Sequence, residues 1–488
     1  MAQQPRAHRL LLAVCGVFAL LSLALVPLTL PLGWDEMVYA SRYSPHGPAT
    51  PFSAPRTRGV PFLIAPVAAW SDSVVLLRVW LTLLATAALY LGFRPWLRVL
   101  HRPSAAAVAA ALYGGLWFTL FYASAAMPNH YTAMGAVGAV GLFLWPRQSV
   151  ATRAGIAGGL ALATLMRPND GVALGVPLLV AALVVPGRRA RGRVLAVLGG
   201  LAAGALPWIV EAYVRFGGVR ERLTEASEVQ GDLRPLLSLA HHLTVMDGPL
   251  LCRPCTGDGI RPIALEWWLV LPVLVGVGLW SVRGLRPEDR GARPPAPAPL
   301  PCCLLAAAAA LAVALPYLLL VPYAAPRFLL PAHALLAPAA ALGVLALVRA
   351  ARASRRPLVG LAALGLVLAG HLAVQLPLVH GNARIQAGAR GDWARIAEVL
   401  HDHGVGAGTG GARTGGAGTG STPCVLGGNA SVIPVAYVAG CAPAAPDDPL
   451  RPAALVLRAA DPPHWARSWP RHPVPGTYAP GWAVHVPP

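Results

Sequence analysis

Apolar runs recur along residues 10–376, and polar residues collect in the short stretches between them. The runs lie at Leu10–Leu30, Ser73–Phe93, Ser104–Tyr122, Tyr131–Trp145, Ala154–Arg167, Gly171–Val185, Val194–Val214, Ile263–Val282, Cys302–Tyr323, Phe328–Val348 and Pro357–Leu376. They predict about 11 membrane-spanning helices, several shorter than the roughly 20 residues of a full crossing. After Leu376 the pattern changes to mixed polar and apolar. Trp393–Leu400 has helical spacing with Asp392 placed to cap it, and Cys424–Gly427 and Ala454–Leu457 read as short buried strands around a helix at Ser431–Val438. The fold class expected is therefore an all-α polytopic membrane protein with a small C-terminal α/β domain. Residues 1–376 form the multi-span part with an outer loop at 32–59, and residues 377–488 the small domain, interrupted by a flexible Gly/Thr-rich insert at 404–422.

Arginines sort the loops into two sides. Arg94, Arg98 and Arg102; Arg147 and Arg153; Arg188, Arg189, Arg191 and Arg193; Arg283, Arg286, Arg290 and Arg293; and Arg349, Arg352, Arg355 and Arg356 fall in alternate loops. The positive-inside rule makes those loops cytoplasmic, and Arg6 and Arg9 place the N-terminus with them. An odd number of spans then leaves the C-terminal domain outside. The long loop Arg215–Pro262, on the other side, mixes arginines with Glu221, Glu225, Glu228, Asp232, Asp247 and Asp258.

Composition agrees with this reading. The chain is 56% hydrophobic and 12% charged, against about 25% charged for a soluble protein. Its net charge is +19, carried by arginine without any lysine. Because those arginines sit in short loops between apolar runs, the charge describes topology and no nucleic-acid partner is expected. The first run lacks a small-residue cleavage site and reads as a retained helix.

The chemistry concentrates at Gly33–Tyr43, where Asp35 and Glu36 follow the first span. On pattern alone Asp35 has two readings: the first turn of a juxtamembrane helix, favoured by the helix dipole, or a functional carboxylate at the membrane boundary. Trp34 reads as an interfacial anchor. Arg327 is either a cation snorkelling to the surface or an anion ligand. The turn Ala126–Tyr131 offers Asn129 and His130 as hydrogen-bonding groups, and Pro128 would set its bend. Arg167–Asp170 is another charged outer turn, read mainly as a turn and held as a cavity-lining candidate. Of seven cysteines, Cys15, Cys302 and Cys303 lie in or near spans as apolar fillers, whereas Cys252 with Cys255 and Cys424 with Cys441 lie outside and are expected to pair. The acids and His130 lack metal-ligand spacing, so no metal or other cofactor is expected.

An Asp-Glu pair and a nearby Tyr directly after the first span, Arg56–Leu63 where the chain re-enters the membrane, and Tyr323–Pro331 before a late span together resemble the GT-C superfamily of membrane glycosyltransferases. That group includes protein O-mannosyltransferases and lipid A aminoarabinose transferases. The resemblance implies transfer of a sugar from a polyprenyl-phosphate donor to an extracytoplasmic acceptor. It implies Asp35 as general base with Glu36 its neighbour, Arg327 as phosphate ligand, and Arg56, Arg58 and His130 as further substrate-binding groups. Many relatives carry another acid in the turn occupied here by Asn129 and His130. The alternative from a different class is a transporter or lipid-handling protein without catalysis. It would show paired halves with broken helices, and the sequence has no internal repeat.

Overall fold

The computed structural model describes residues 3–44, 47–100, 102–255, 261–283, 298–406, 424–444 and 452–488. Arg286, Arg290, Arg293, Asp258 and most of the Gly/Thr-rich insert lie outside the described residues. In chain order the first helices are α1 (Gln3–Leu25), α2 (Trp34–Ala40), α3 (Gly59–Ala68), α4 (Val74–Phe93), α5 (Trp96–Val99), α6 (Ser104–Gly114) and α7 (Trp117–Ala123). Then come α8 (Asn129–Phe143), α9 (Val150–Met166), α10 (Pro168–Val184), α11 (Arg191–Arg215), α12 (Val219–Val229) and α13 (Leu239–Thr244). The later helices are α14 (Glu266–Ser281), α15 (Pro299–Leu319), α16 (Leu330–Ala353), α17 (Pro357–Asp402) and α18 (Val432–Ala439).

Every predicted span falls on a helix, the third on the pair α6–α7, which bends by 83° at Gly115–Leu116. Among the described residues six helices are long and apolar enough to cross a membrane, or seven if the bent pair is one span. Helices α9, α10 and α14, with 17, 17 and 16 residues, are apolar but shorter. The protein is a multi-pass, mainly helical membrane protein with a small C-terminal sheet.

Two compact units make up the chain. The first comprises Met1–Val26, Ala54–Gly59 and Leu81–Asn382. Its helices pack through small residues. A Cβ on Gly278 of α14 would strike the Ala339 carbonyl of α16, and one on Gly343 would strike the Leu274 carbonyl in return. Gly135 of α8 and Gly159 of α9 approach each other in the same way. Without hydrophobic drive between helices in lipid, such backbone proximity is what gains dispersion contact.

The second unit comprises Pro27–Ser53, Val60–Trp80 and Ala383–Pro488. Its sheet has the order β2-β1-β3-β5-β4, from β1 (Val425–Gly428), β2 (Ala442–Pro443), β3 (Ala454–Arg458), β4 (Arg471–Pro473) and β5 (Trp482–His485). Strand β1 runs parallel to β2 and β3, and β5 is antiparallel to both β3 and β4. Leu426, Val456 and Val484 of the sheet bury one face against Ile396 and Leu400 of α17 and Val435 of α18. The change of composition at Leu376 is not a break in the backbone, because α17 continues through it for 46 residues. Asp392 consequently does not start a helix. It lies within α17 and accepts from the N–H groups of Tyr478 and Ala479 at 2.6 and 2.9 Å, which ties the segment before β5 to the helix.

Both expected disulfides are present, Cys252–Cys255 and Cys424–Cys441, while Cys15, Cys302 and Cys303 are free and buried.

Candidate functional site

The second unit mounts the carboxylate pair. Helix α2 is only 7 residues long and could not persist alone. Its start is fixed by Glu36, whose Oε2 accepts from the Gly33 N–H at 2.7 Å. Glu36 is 1% exposed. Arg78 donates to both of its oxygens, at 2.5 and 3.0 Å, and Arg390 Nη1 donates to Oε2 at 3.1 Å. Both arginines also donate to backbone carbonyls, Arg78 to Leu30 and Pro31, and Arg390 to Pro31 at 2.8 Å. Burial alone would raise the Glu36 pKa, but the two guanidinium charges and the hydrogen bonds outweigh it and bring it down from 4.5 to about 2. A Cβ at residue 33 would lie 3.0 Å from Arg390 Nη2, so a larger residue there would push on the Arg390 guanidinium.

This arrangement separates the two acids. Glu36, expected beside Asp35 as its catalytic neighbour, is buried and committed to two arginines. Asp35 is half-buried in the first turn of α2, next to the exposed Trp34. The helix-capping role that the pattern offered to Asp35 is filled at Gly33 by Glu36.

In the first unit, Arg327 lies in the 3-10 turn Pro326–Leu329 and is 9% exposed. It donates from Nη1 to the Tyr122 hydroxyl and the Leu250 carbonyl, both at 3.2 Å. Its guanidinium stands 5.4 Å from the Phe328 ring centroid, and that of Arg167 stands 5.3 Å from the same ring. Arg167 also pairs with Asp170 at 3.4 Å, and Asp170 accepts from the Tyr317 hydroxyl at 2.5 Å. The turn at 167–170 is therefore part of an arginine–aromatic patch around Phe328. His242 meets Phe328 edge-on at 6.5 Å. Burial, only partly offset by a backbone hydrogen bond at Tyr317, pushes its pKa down to about 4, so it adds no charge at neutral pH.

The other three expected substrate-binding residues have partners within the first unit. Arg58 pairs with Glu211 of α11, which also holds Arg215 at 3.0 Å and Arg222 at 3.1 Å. Arg56 is half-buried and its carbonyl accepts from Arg222 Nη2 at 2.9 Å. Thr57 between them donates to the Met166 carbonyl at 2.9 Å, which sets this segment beside the Arg167 turn. His130 was expected in an outer turn. It is instead in α8, 1% exposed, with Nε2 donating to the Ala85 carbonyl at 3.0 Å and Nδ1 left to accept from the Tyr113 hydroxyl at 3.1 Å. Both ring nitrogens are thus used within the protein, because a carbonyl can only accept. Asp35 and Glu36 belong to the second unit and Arg56, Arg58, His130 and Arg327 to the first. Among the described residues no group of three or more His, Cys, Asp or Glu side chains could hold a metal ion.

Sequence reasoning missed Arg78, Arg390, Glu211 and Arg222. Arg78 and Glu211 lay inside predicted spans, and an ionised group in an apolar run needs a partner. That signal was readable. Arg390 and Arg222 gave none, since their partners are 354 and 11 positions away in the chain.

No family model matches the sequence, and a search of the curated proteins gives no match. Solved structures do match. ArnT from Cupriavidus metallidurans bound to undecaprenyl phosphate superposes with a TM-score of 0.61 at 12% identity, over 97% of this chain and 97% of that one. Its apo state gives 0.57 at 14% identity, over 98% and 97%. The Archaeoglobus fulgidus oligosaccharyltransferase tethered with an acceptor peptide gives 0.53 at 13% identity over 89% of this chain, which spans 63% of that protein. ArnT, a lipid A aminoarabinose transferase, and the oligosaccharyltransferase are both GT-C superfamily members. At these identities the likeness is one of fold: the chain has the GT-C fold.

Proposed function

We propose that the chain is a GT-C-type glycosyltransferase that moves a sugar from a polyprenyl-phosphate-linked donor to an extracytoplasmic acceptor, with Asp35 as general base. One observation carries the reading: a half-buried carboxylate stands on a short helix whose start is locked by the Glu36–Arg78–Arg390 triad. Precise mounting matters for a base, since it must meet a proton within hydrogen-bond reach. The full-length fold correspondence to ArnT, a protein solved with undecaprenyl phosphate, supports the donor class.

In this reading the acceptor hydroxyl attacks the anomeric carbon while Asp35 takes its proton. The bond from that carbon to the phosphate oxygen breaks, and the phosphate leaves as an anion. An anionic leaving group needs fixed positive charge more than a proton. Arg327 supplies a permanent guanidinium, and Arg167 over the same Phe328 ring adds a second. Arg56 remains a secondary candidate, whereas Arg58 and His130 are withdrawn because Glu211, Tyr113 and Ala85 already engage them. Glu36, Arg78 and Arg390 act as positioning residues. The same reading sets the N-terminus in the cytoplasm and the C-terminal domain outside, and reporter fusions after Leu376 that read cytoplasmic would overturn it.

The deciding variant is Asp35→Asn, assayed for sugar transfer from polyprenyl-phosphate donors with expression and thermal melting as folding controls. Loss of a general base lowers turnover about 10²–10⁴-fold. Full activity in a well-folded Asp35→Asn protein would overturn Asp35 as the base, and absence of transfer by the wild-type protein would return the chain to the transporter or lipid-handling reading. Arg327→Lys keeps charge but loses the planar fork, and is expected to weaken donor use more than acceptor use.

A further inference from the structure

The end of α10 farthest from Asp170 holds a second feature, separated from the Arg167 patch by the 17 residues of the helix, about 25 Å at the α-helical rise. A groove of about 580 Å³ opens between the end of α10 and the start of α11. Its walls are Leu183, Val194 and Leu195, and its rim carries Arg189 and Arg191. Leu183 is 57% and Leu195 69% exposed.

The rim is built. Arg189 Nε donates to the Leu183 carbonyl at 2.8 Å, which holds its guanidinium over the groove's own wall. The turn beneath is pinned by two other arginines: Arg188 donates to the Leu144 carbonyl at 2.5 Å and Arg193 to the Trp145 carbonyl at 2.8 Å. Arg153 lies close by, since a Cβ on Gly192 would come within 2.7 Å of its Nη1. The segments that carry these arginines, residues 130–169 and 171–210, contain no Asp or Glu. Arginines gathered on carboxylate-free segments around an apolar cleft suit an anion that also has hydrocarbon.

We propose that this groove seats an anionic glycerophospholipid, its phosphate between Arg189 and Arg191 and an acyl chain against Leu183, Val194 and Leu195. A soluble phosphate would use the rim and leave the exposed leucines uncovered, whereas a lipid satisfies both. The lipid would thereby fill the space between two helices that Gly175 and Leu201 already bring together farther along. This site is independent of the sugar-transfer reading.

The test is native mass spectrometry of the full-length detergent-solubilised protein titrated with phosphatidylglycerol, phosphatidylcholine or glycerol 3-phosphate. The expected result is preferential retention of phosphatidylglycerol, weakened about tenfold or more in Arg189→Gln/Arg191→Gln. The control Arg355→Gln/Arg356→Gln removes the same charge from two exposed arginines elsewhere and should leave binding within about twofold. Equal loss in both variants means general charge attraction and overturns the site. Unchanged binding in the first variant overturns it also, as does equal affinity for glycerol 3-phosphate, which would make the occupant a soluble anion. Melting temperatures of both variants within a degree or two of wild type exclude misfolding as the cause, and Arg191→Gln alone repeats the test if the double variant fails that check.

Discussion

Glu36 and Glu211 are each ringed by arginines, but the two rings are closed in different ways. Glu36 has Arg78 and Arg390, at 1% and 9% exposure, and both arginines also donate to backbone carbonyls at Leu30 and Pro31. Glu211 has three arginines. Arg222 is fully buried and leans on the Trp208 ring at 4.5 Å, while Arg58 and Arg215 are 26% and 40% exposed. Water can therefore screen part of the second cluster and hardly any of the first. The number of ion pairs therefore says less about a carboxylate's importance than how far its partners are shut away from water.

Glu36→Gln should have the largest effect. It removes the carboxylate that two enclosed guanidiniums share, and breaking a buried pair from one side costs about 3–5 kcal/mol. Thermal unfolding in detergent should show a drop of that order, or the protein should fail to accumulate. A melting temperature like wild type would mean that Glu36 is not the anchor of α2. Glu211→Gln should cost less, about 1–3 kcal/mol, because only Arg222 loses a partner out of reach of water. An equal loss at both sites would erase the distinction drawn here.

Acid should probe the Glu36 cluster directly. Folding depresses the Glu36 pKa from 4.5 to about 2, so the folded state binds its proton less readily than the unfolded chain. The resulting stability is fully present above pH 4.5 and is lost as pH falls toward 2. An acid titration of wild type should show this slope, and Glu36→Gln should flatten it. Smallest of all, Arg215→Gln should change stability by no more than about 0.5 kcal/mol. A larger loss would show that this exposed arginine acts as an enclosed one.

How far the sequence revealed these features depends on the range of the interaction. Span positions came from runs of apolar residues, and every one fell on a helix. Hydropathy hid the bend at Gly115–Leu116, since the run from Ser104 to Tyr122 stays apolar through it, although the Gly114-Gly115 pair was a readable breaker signal. Both disulfides were legible because cysteines outside the spans had few alternatives. Strands β1 and β3 announced themselves by short apolar runs, whereas β4, with the sequence Arg471-His472-Pro473, has no such pattern and exists through its pairing with β5. At the candidate site the Asp35-Glu36 pair was visible, but which acid is enclosed was not. That choice is made by Arg390, a residue whose neighbours in sequence say nothing about Glu36. His130 was misplaced because Pro128 suggested a turn, and the helix in fact starts one residue after it.

The position of β5 in the sheet has a consequence in time. It pairs with β3 on one side and β4 on the other, yet it is translated after both. Until Trp482–His485 has left the ribosome, β3 exposes an unpaired edge, β4 has no partner, and the buried face lacks Val484. Strands β1, β2 and β3 can pair as they emerge, but the β5–β4 half of the sheet cannot. The β3 edge stays open until β5 arrives and closes the sheet in one late step.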